Sequence, residues 1–219
     1  MISFNQVRSD SVIKTYIEYA DKCLSTLGYT EHSFAHVGLV AHRTKYILDT
    51  LGYDEREIEL GMIAAYMHDI GNAVNRKDHS QSGALMAFRV LDKMGMDAEE
   101  LVKIVAAIGN HDEGDGVAVN PLAAALIISD KSDVRRTRVR NRDFTTFDIH
   151  DRVNYSVIRS DLKINEAKTE IELILEIDTE ISSVVNYFEI FLTRMIMCRK
   201  AAKFLNLDFK LTVNGQQLM

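Results

Sequence analysis

Apolar residues recur every three or four positions through the first two thirds of the chain, and glycines close the segments they define. A helix is predicted from about Ser11 to Leu27, burying Ile13, Tyr16, Ile17, Ala20 and Cys23, with Gly28 ending it. Thr30 or Ser33 can cap a second, which carries His36, Val40, Thr44, Ile47 and Leu51 and stops at Gly52, the usual left-handed closing residue. Asp54 with Glu57 forms a capping box for a helix through Ile58, Met62, Ala65 and Met67 that reaches His68 and Asp69 and breaks at Gly71. Asp97 with Glu100 repeats the device through Leu101, Ile104, Val105 and Ile108 to Gly109, just before His111. Asn120 followed by Pro121 is an N-cap with proline at the first helical position, and the apolar run Leu122 to Ile128 delivers Asp130. Three helices thus end in polar residues of metal-ligand type.

After about Asp143 the period changes to two. Val153, Tyr155 and Val157 alternate with polar residues, as do Ile171, Leu173, Leu175 and Ile177, which predicts two antiparallel strands joined by a turn at Asn165 to Lys168. A long amphipathic helix from about Ser183 to Leu205 and a last strand at Phe209 to Val213 complete a β-β-α-β unit. The expected fold is mainly α, a helical bundle over residues 1–145 followed by a small α+β unit over 146–219.

Composition narrows the class. At 219 residues, 47% hydrophobic and 26% charged, the chain is long enough to bury roughly 70% of its unfolded surface around a protected pocket. Cys23 and Cys198 lie far apart with no Cys-x-x-Cys pair, as a reducing compartment permits, and no signal-peptide pattern opens the sequence, so a cytoplasmic location is expected. No apolar run approaches the length of a membrane span. The net charge of −6 does not favour nucleic acid.

Six residues carry candidate chemistry: His36, His68, Asp69, His79, His111 and Asp130. Imidazole and carboxylate together suit zinc, iron, manganese or related divalent ions, and their spread over several helices suits a bundle-core site. A lone histidine is usually a surface or hydrogen-bonded residue. His68, however, follows the apolar run Ala64 to Met67, and a buried Asp69 beside it needs a compensating cation.

Through His36, the run His68, Asp69, Ile70, Gly71, and Asp130, the sequence resembles the HD superfamily of metal-dependent phosphohydrolases. His79 in HSQSGALMAFRVL, the segment NHDEGDG containing His111, and IISDKSD resemble the metal frame of the HD-GYP subgroup. The resemblance covers about residues 30 to 135. It implies that His36, His68, Asp69 and Asp130 hold one ion and His79 and His111 a second, with Asp69 bridging. Asn72 stands where the family commonly has lysine, Asn110 where the subgroup has a further histidine, and Val117, Ala118 and Val119 replace its Gly-Tyr-Pro element, so cyclic dinucleotide hydrolysis does not carry over.

The implied activity is hydrolysis of a phosphoester, a nucleotide or related phosphate, with one or two divalent ions (Mn, Fe, Zn, Mg or Ni) activating water and Asp69 and Lys131 as catalytic residues. Lys131, Arg135 and Arg138 are candidates for substrate phosphate. The run RRTRVRNR, residues 135 to 142, holds five arginines, yet no aromatic residue interleaves it. Substrate phosphate or acidic neighbours are the better partners, and salt bridging on a solvated helix is the equal alternative. No GxxxxGK, GxSxG or HExxH occurs. His42 is expected at the surface, and His32, one turn before His36, is left outside the site. The rival reading is a nucleotide-sensing binding protein that keeps the metal frame without turnover, its C-terminal unit serving to form a homodimer.

Overall fold

The computed structural model describes residues 1–219. Helices α1 (Phe4–Ser9), α2 (Ser11–Thr26), α3 (Phe34–Leu51), α4 (Glu55–Met67), α5 (His79–Lys93), α6 (Ala98–Gly109) and α7 (Pro121–Lys131) make the bundle. A strap with two 3-10 turns leads to α8 (Ile149–Ser156). Strands β1 (Val157–Ile164) and β2 (Glu170–Ile177), helix α9 (Val184–Phe204), and strands β3 (Asp208–Val213) and β4 (Gln216–Gln217) follow. The sheet order is β1-β2-β3-β4. The first and last pairs are antiparallel, and β2 and β3 run parallel because α9 crosses between them, setting Leu173 opposite Leu211.

The expected N-caps are in place, but the two capping boxes are only half formed. Asp54, Asp97 and Asn120 each accept a backbone N–H of the helix they start, while Glu57 and Glu100 turn away to Lys103 and Arg56, and Gly52 closes α3 at φ +87°. Two helices escaped the sequence pattern. The six-residue α1 is held by a Ser3–Gln6 capping box, and α5 starts after Asp78, whose left-handed backbone (φ +58°) and missing side-chain cap give no recognisable start signal.

One expected strand is a helix at its beginning. Val153 and Tyr155 belong to α8, and β1 begins only at Val157. The buried positions are 153, 154, 156 and 157, a helical spacing carried partly by Asn154 and Ser156. Their side chains bond back to His150 O and Val153 O, so both polar groups are buried without loss, which an apolar pattern cannot register.

Helix α7 positions the site. Every residue from Leu122 to Ser129 is buried. Leu122, Ala123 and Leu126 pack into a core formed by α1 to α6, whereas Ala124, Ala125, Ile127 and Ile128 pack into a second core with Ile47 and Leu48 of α3, the sheet and α9. The C-terminal unit therefore shares its core with the bundle. No helix is long and apolar enough to cross a membrane.

Candidate metal centre

The ends of α4 and α7, the start of α5, the loop after α6 and the first turn of α3 converge on one point. His36, His68, His79 and His111 are buried, and Asp69 is 5% exposed. Each imidazole is fixed through Nδ1: His68 to Ala65 O at 2.7 Å, His111 to Ile108 O at 2.7 Å, His79 to Arg76 O at 3.0 Å and His36 to Asp133 Oδ2 at 2.7 Å. Carbonyls and carboxylates only accept, so Nδ1 carries a proton and Nε2 is the ring atom turned inward.

Those Nε2 atoms face carboxylate oxygens. His36 Nε2 lies 3.5 Å from Asp69 Oδ2 and 3.3 Å from Asp130 Oδ1, and His68 Nε2 lies 3.2 and 3.7 Å from the same pair. On the other side, His79 Nε2 lies 3.5 Å and His111 Nε2 4.0 Å from Asp69 Oδ1, with 3.1 Å between the two nitrogens. Ligands bound at about 2.1 Å to one ion lie about 3.0–3.4 Å apart, and the separations here, 3.1–4.0 Å, lie within that range or a few tenths of an ångström above it. His36, His68 and Asp130 form one group of compatible ligand atoms, and His68, Asp69 and His111 another. His36 Nε2, His68 Nε2 and Asp69 Oδ2 are buried without any hydrogen-bond partner, and a divalent cation satisfies all three.

In the metal-free protein protons fill part of that role. Burial opposes charge on His68, but Asp69 and Asp130 outweigh it and push its pKa up to about 10. His36 also moves up, against burial and Arg138, because Asp130, Asp133 and Asp69 lie beside its two nitrogens. Burial drives His79 and His111 the other way, so that pair stays neutral.

Two glycines permit this convergence. A Cβ on Gly71 would lie 2.0 Å from His79 O and 2.4 Å from Gly83 N, so only glycine lets the turn after Asp69 touch α5 and bring His79 beside it. A Cβ on Gly116 would lie 2.3 Å from both Asn110 O and Asp112 O, and its absence folds the loop that carries His111 and Glu113.

The basic residues take several places. Lys131 is 4% exposed and pairs with Asp130 Oδ2 at 2.8 Å and Glu113 Oε2 at 2.6 Å at the wall of a cavity of about 360 Å³ that opens onto Asp69, His79 and Asp130. Arg138 also reaches that wall, its Nη1 donating to Asp133 O. Arg135 does not line the cavity. Its Nε donates to Asp133 Oδ1 at 2.6 Å. Arg136 stacks on Tyr155 and Arg140 pairs with Asp21, so four of the five arginines of the basic run are committed to neighbouring side chains or carbonyls, in a strap rather than a helix. His42 is exposed, and His32 and His150 line the cavity. Arg76, Glu113, Asp133 and Arg194 were missed by sequence reasoning. Asp133 stands one turn after Asp130, Arg76 three residues before His79 and Glu113 two after His111, so proximity in sequence was the available signal for these three, whereas Arg194 arrives from α9 through tertiary packing alone.

Comparison with known proteins agrees with this geometry. The chain is 23% identical over 197 residues to the uncharacterized protein MJ1020 of Methanocaldococcus jannaschii, a similarity spanning 78% of this chain and 75% of the relative. The HD domain pattern matches residues 33–152, just over half of the chain and the stretch that holds His36, His68, Asp69, His79, His111 and Asp130, and the chain belongs to the HD domain family.

Proposed function

We propose that this protein is a divalent-metal-dependent phosphohydrolase acting on a phosphoester, a nucleotide or related phosphate. HD domains are generally metal-dependent hydrolases. The observation that carries the reading is the set of buried, unpartnered ligand atoms on His36, His68 and Asp69, aimed at one another with every Nδ1 already occupied. His36, His68, Asp69 and Asp130 would hold one ion, and His79, His111 and Asp69 a second, the frame of the HD-GYP subgroup without its Gly-Tyr-Pro element. Divalent ions there supply Lewis acidity, polarising a phosphoryl oxygen and lowering the pKa of water from about 15.7 to near 7.

The chain's own residues do the rest. Asp69 divides its two oxygens between the two histidine pairs. Lys131 holds an ammonium beside Asp130 where phosphoryl charge develops, and Glu113 keeps that ammonium in place. Residues 146–219 form the small α+β unit of the proposed two-part organisation.

A second reading, a sensor that binds without turnover, draws on Asn72. Its amide donates to Asp69 Oδ1 at 2.9 Å, so the position where the family commonly has lysine carries no cation. One experiment separates them: elemental analysis of the purified chain with hydrolysis of aryl phosphate mono- and diesters. The enzyme gives metal-dependent release that Asp69→Ala abolishes. Bound metal without release on any ester favours the sensor, and absence of stoichiometric metal refutes both.

A further inference from the structure

The cavity wall contains charge that the proposed metal centre does not use. Arg76 is half-buried, rests on the ring of Tyr29 at 5.6 Å, and donates only to two neutral groups, Asn72 Oδ1 at 3.3 Å and His79 Nε2 at 3.4 Å. No carboxylate pairs with it within 4.0 Å, in a protein where most buried cations are paired. Arg194, from α9, reaches the same cavity. It is braced over Phe191 at 4.8 Å and donates its Nε to Glu113 Oε1 at 2.8 Å, leaving the outer guanidinium nitrogens without a protein acceptor. Glu113 is shared with Lys131, so two cations lean on one carboxylate. If the carboxylates of Asp69 and Asp130 are committed to ions, this wall holds a surplus of two positive charges: one on Arg76 and one on the Lys131–Glu113–Arg194 group.

The cavity is bipolar. Asp148 and Asp151 of the α8 start line it as well, and neither forms an ion pair. Asp148 caps the helix by accepting from Asp151 N at 2.8 Å, and Asp151 accepts from the Asn141 amide at 3.3 Å. Carboxylates so placed repel a second phosphate and suit hydroxyl groups or a positive charge.

We infer that Arg76 and Arg194 are substrate-binding residues that select a doubly charged phosphoryl end, a phosphomonoester rather than a diester, whose remainder is rich in hydrogen-bond donors. The inference rests on the phosphohydrolase reading and gives the C-terminal unit a part in the site: α9 supplies a cation that the bundle lacks. Guanidinium groups suit this role because their planar fork meets two phosphate oxygens at once.

Calorimetry on the full chain loaded with Mn²⁺ tests it, with inorganic phosphate and dimethyl phosphate as probes and manganese content measured alongside. The unmodified protein should bind phosphate at least about tenfold more tightly than dimethyl phosphate. Arg76→Gln and Arg194→Gln should each weaken phosphate by about tenfold or more and change dimethyl phosphate less than about threefold, with manganese content unchanged. Should Arg194→Gln fail to fold in a melting scan, Arg76→Gln decides the case. Loaded metal with phosphate affinity indifferent to these substitutions, or equal losses for both probes, overturns this inference and leaves the metal centre standing. A chain that takes up no stoichiometric manganese or other divalent ion overturns the phosphohydrolase reading, and this inference with it.

Discussion

Replacing Asp133 by asparagine removes one charge from the support of the centre while keeping the shape of the side chain. The Asp133 carboxylate is completely buried and receives His36 Nδ1 at 2.7 Å and Arg135 Nε at 2.6 Å, with Arg138 Nη1 at 3.6 Å. Burial raises the cost of its charge, yet Arg138 and the bonds from His36 and Arg135 hold its carboxyl far below the usual range. Asparagine can still accept from one neighbour but leaves Arg138, itself 4% exposed, facing only carbonyl oxygens. Removing one partner of a buried ion pair costs about 3–5 kcal/mol, which for a chain of this size lowers Tm by roughly 6–20 °C. The carboxylate also fixes the tautomer that turns His36 Nε2 inward, and loss of such a partner weakens metal binding by about 10–100-fold. Thermal unfolding of the metal-free protein and chelator competition for the loaded one measure the two effects. The stability gap has a definite sign with pH. A depressed carboxylate stabilises above its ordinary value of 3.8 and loses that contribution as pH falls toward the folded pKa, so parent and variant should converge on acidification and differ fully at neutral pH. A folded Asp133→Asn protein whose metal affinity stays within about threefold of the parent would refute the assignment.

Metal uptake should release protons, because His68 in the metal-free fold is raised from 6.5 to about 10 and Nε2 is the atom an ion would take. Apparent affinity therefore climbs with pH below 10, about tenfold per unit for each proton released, and a flat profile between pH 6 and 9 would contradict it. The stability His68 gives the metal-free protein runs the opposite way with pH: present below 6.5, lost as pH rises toward 10. Gly71→Ala drives a Cβ into backbone on both sides and should cost about 3 kcal/mol, roughly 6–12 °C in Tm, together with loss of bound metal; a variant that melts with the parent would show that the turn yields freely. A fragment of residues 1–145 exposes Ala124, Ala125, Ile127 and Ile128 and should bind a hydrophobic dye without a cooperative melt, whereas a sharp parental transition would mean that the bundle folds alone.

Helix starts marked by Asp54, Asp97 and Asn120 were legible because a cap is a local hydrogen bond written in adjacent residues. Helix α5 was not, since Asp78 contributes backbone geometry and no side-chain cap. The last turn of α8 was misread as strand because Asn154 and Ser156 are buried polar residues whose bonds go back to their own helix. At the centre, the ligand types could be recognised as types, but their convergence depends on Gly71 lying against Gly83, a contact between distant segments. The binding role of Arg76 and Arg194 was beyond reach for a further reason. A cation is ordinary in sequence, and only the fold reveals which carboxylates it lacks.

Helix α7 has no face turned to water, and Asp130 near its end is the point where it meets the cavity. Such a beam cannot bow or roll without disturbing packing on both sides. A shift of the β-sheet is therefore carried to a carboxylate of the centre as a displacement rather than dissipated at a surface, and residues far from any imidazole, such as Leu173 or Leu211, help to hold the centre's dimensions.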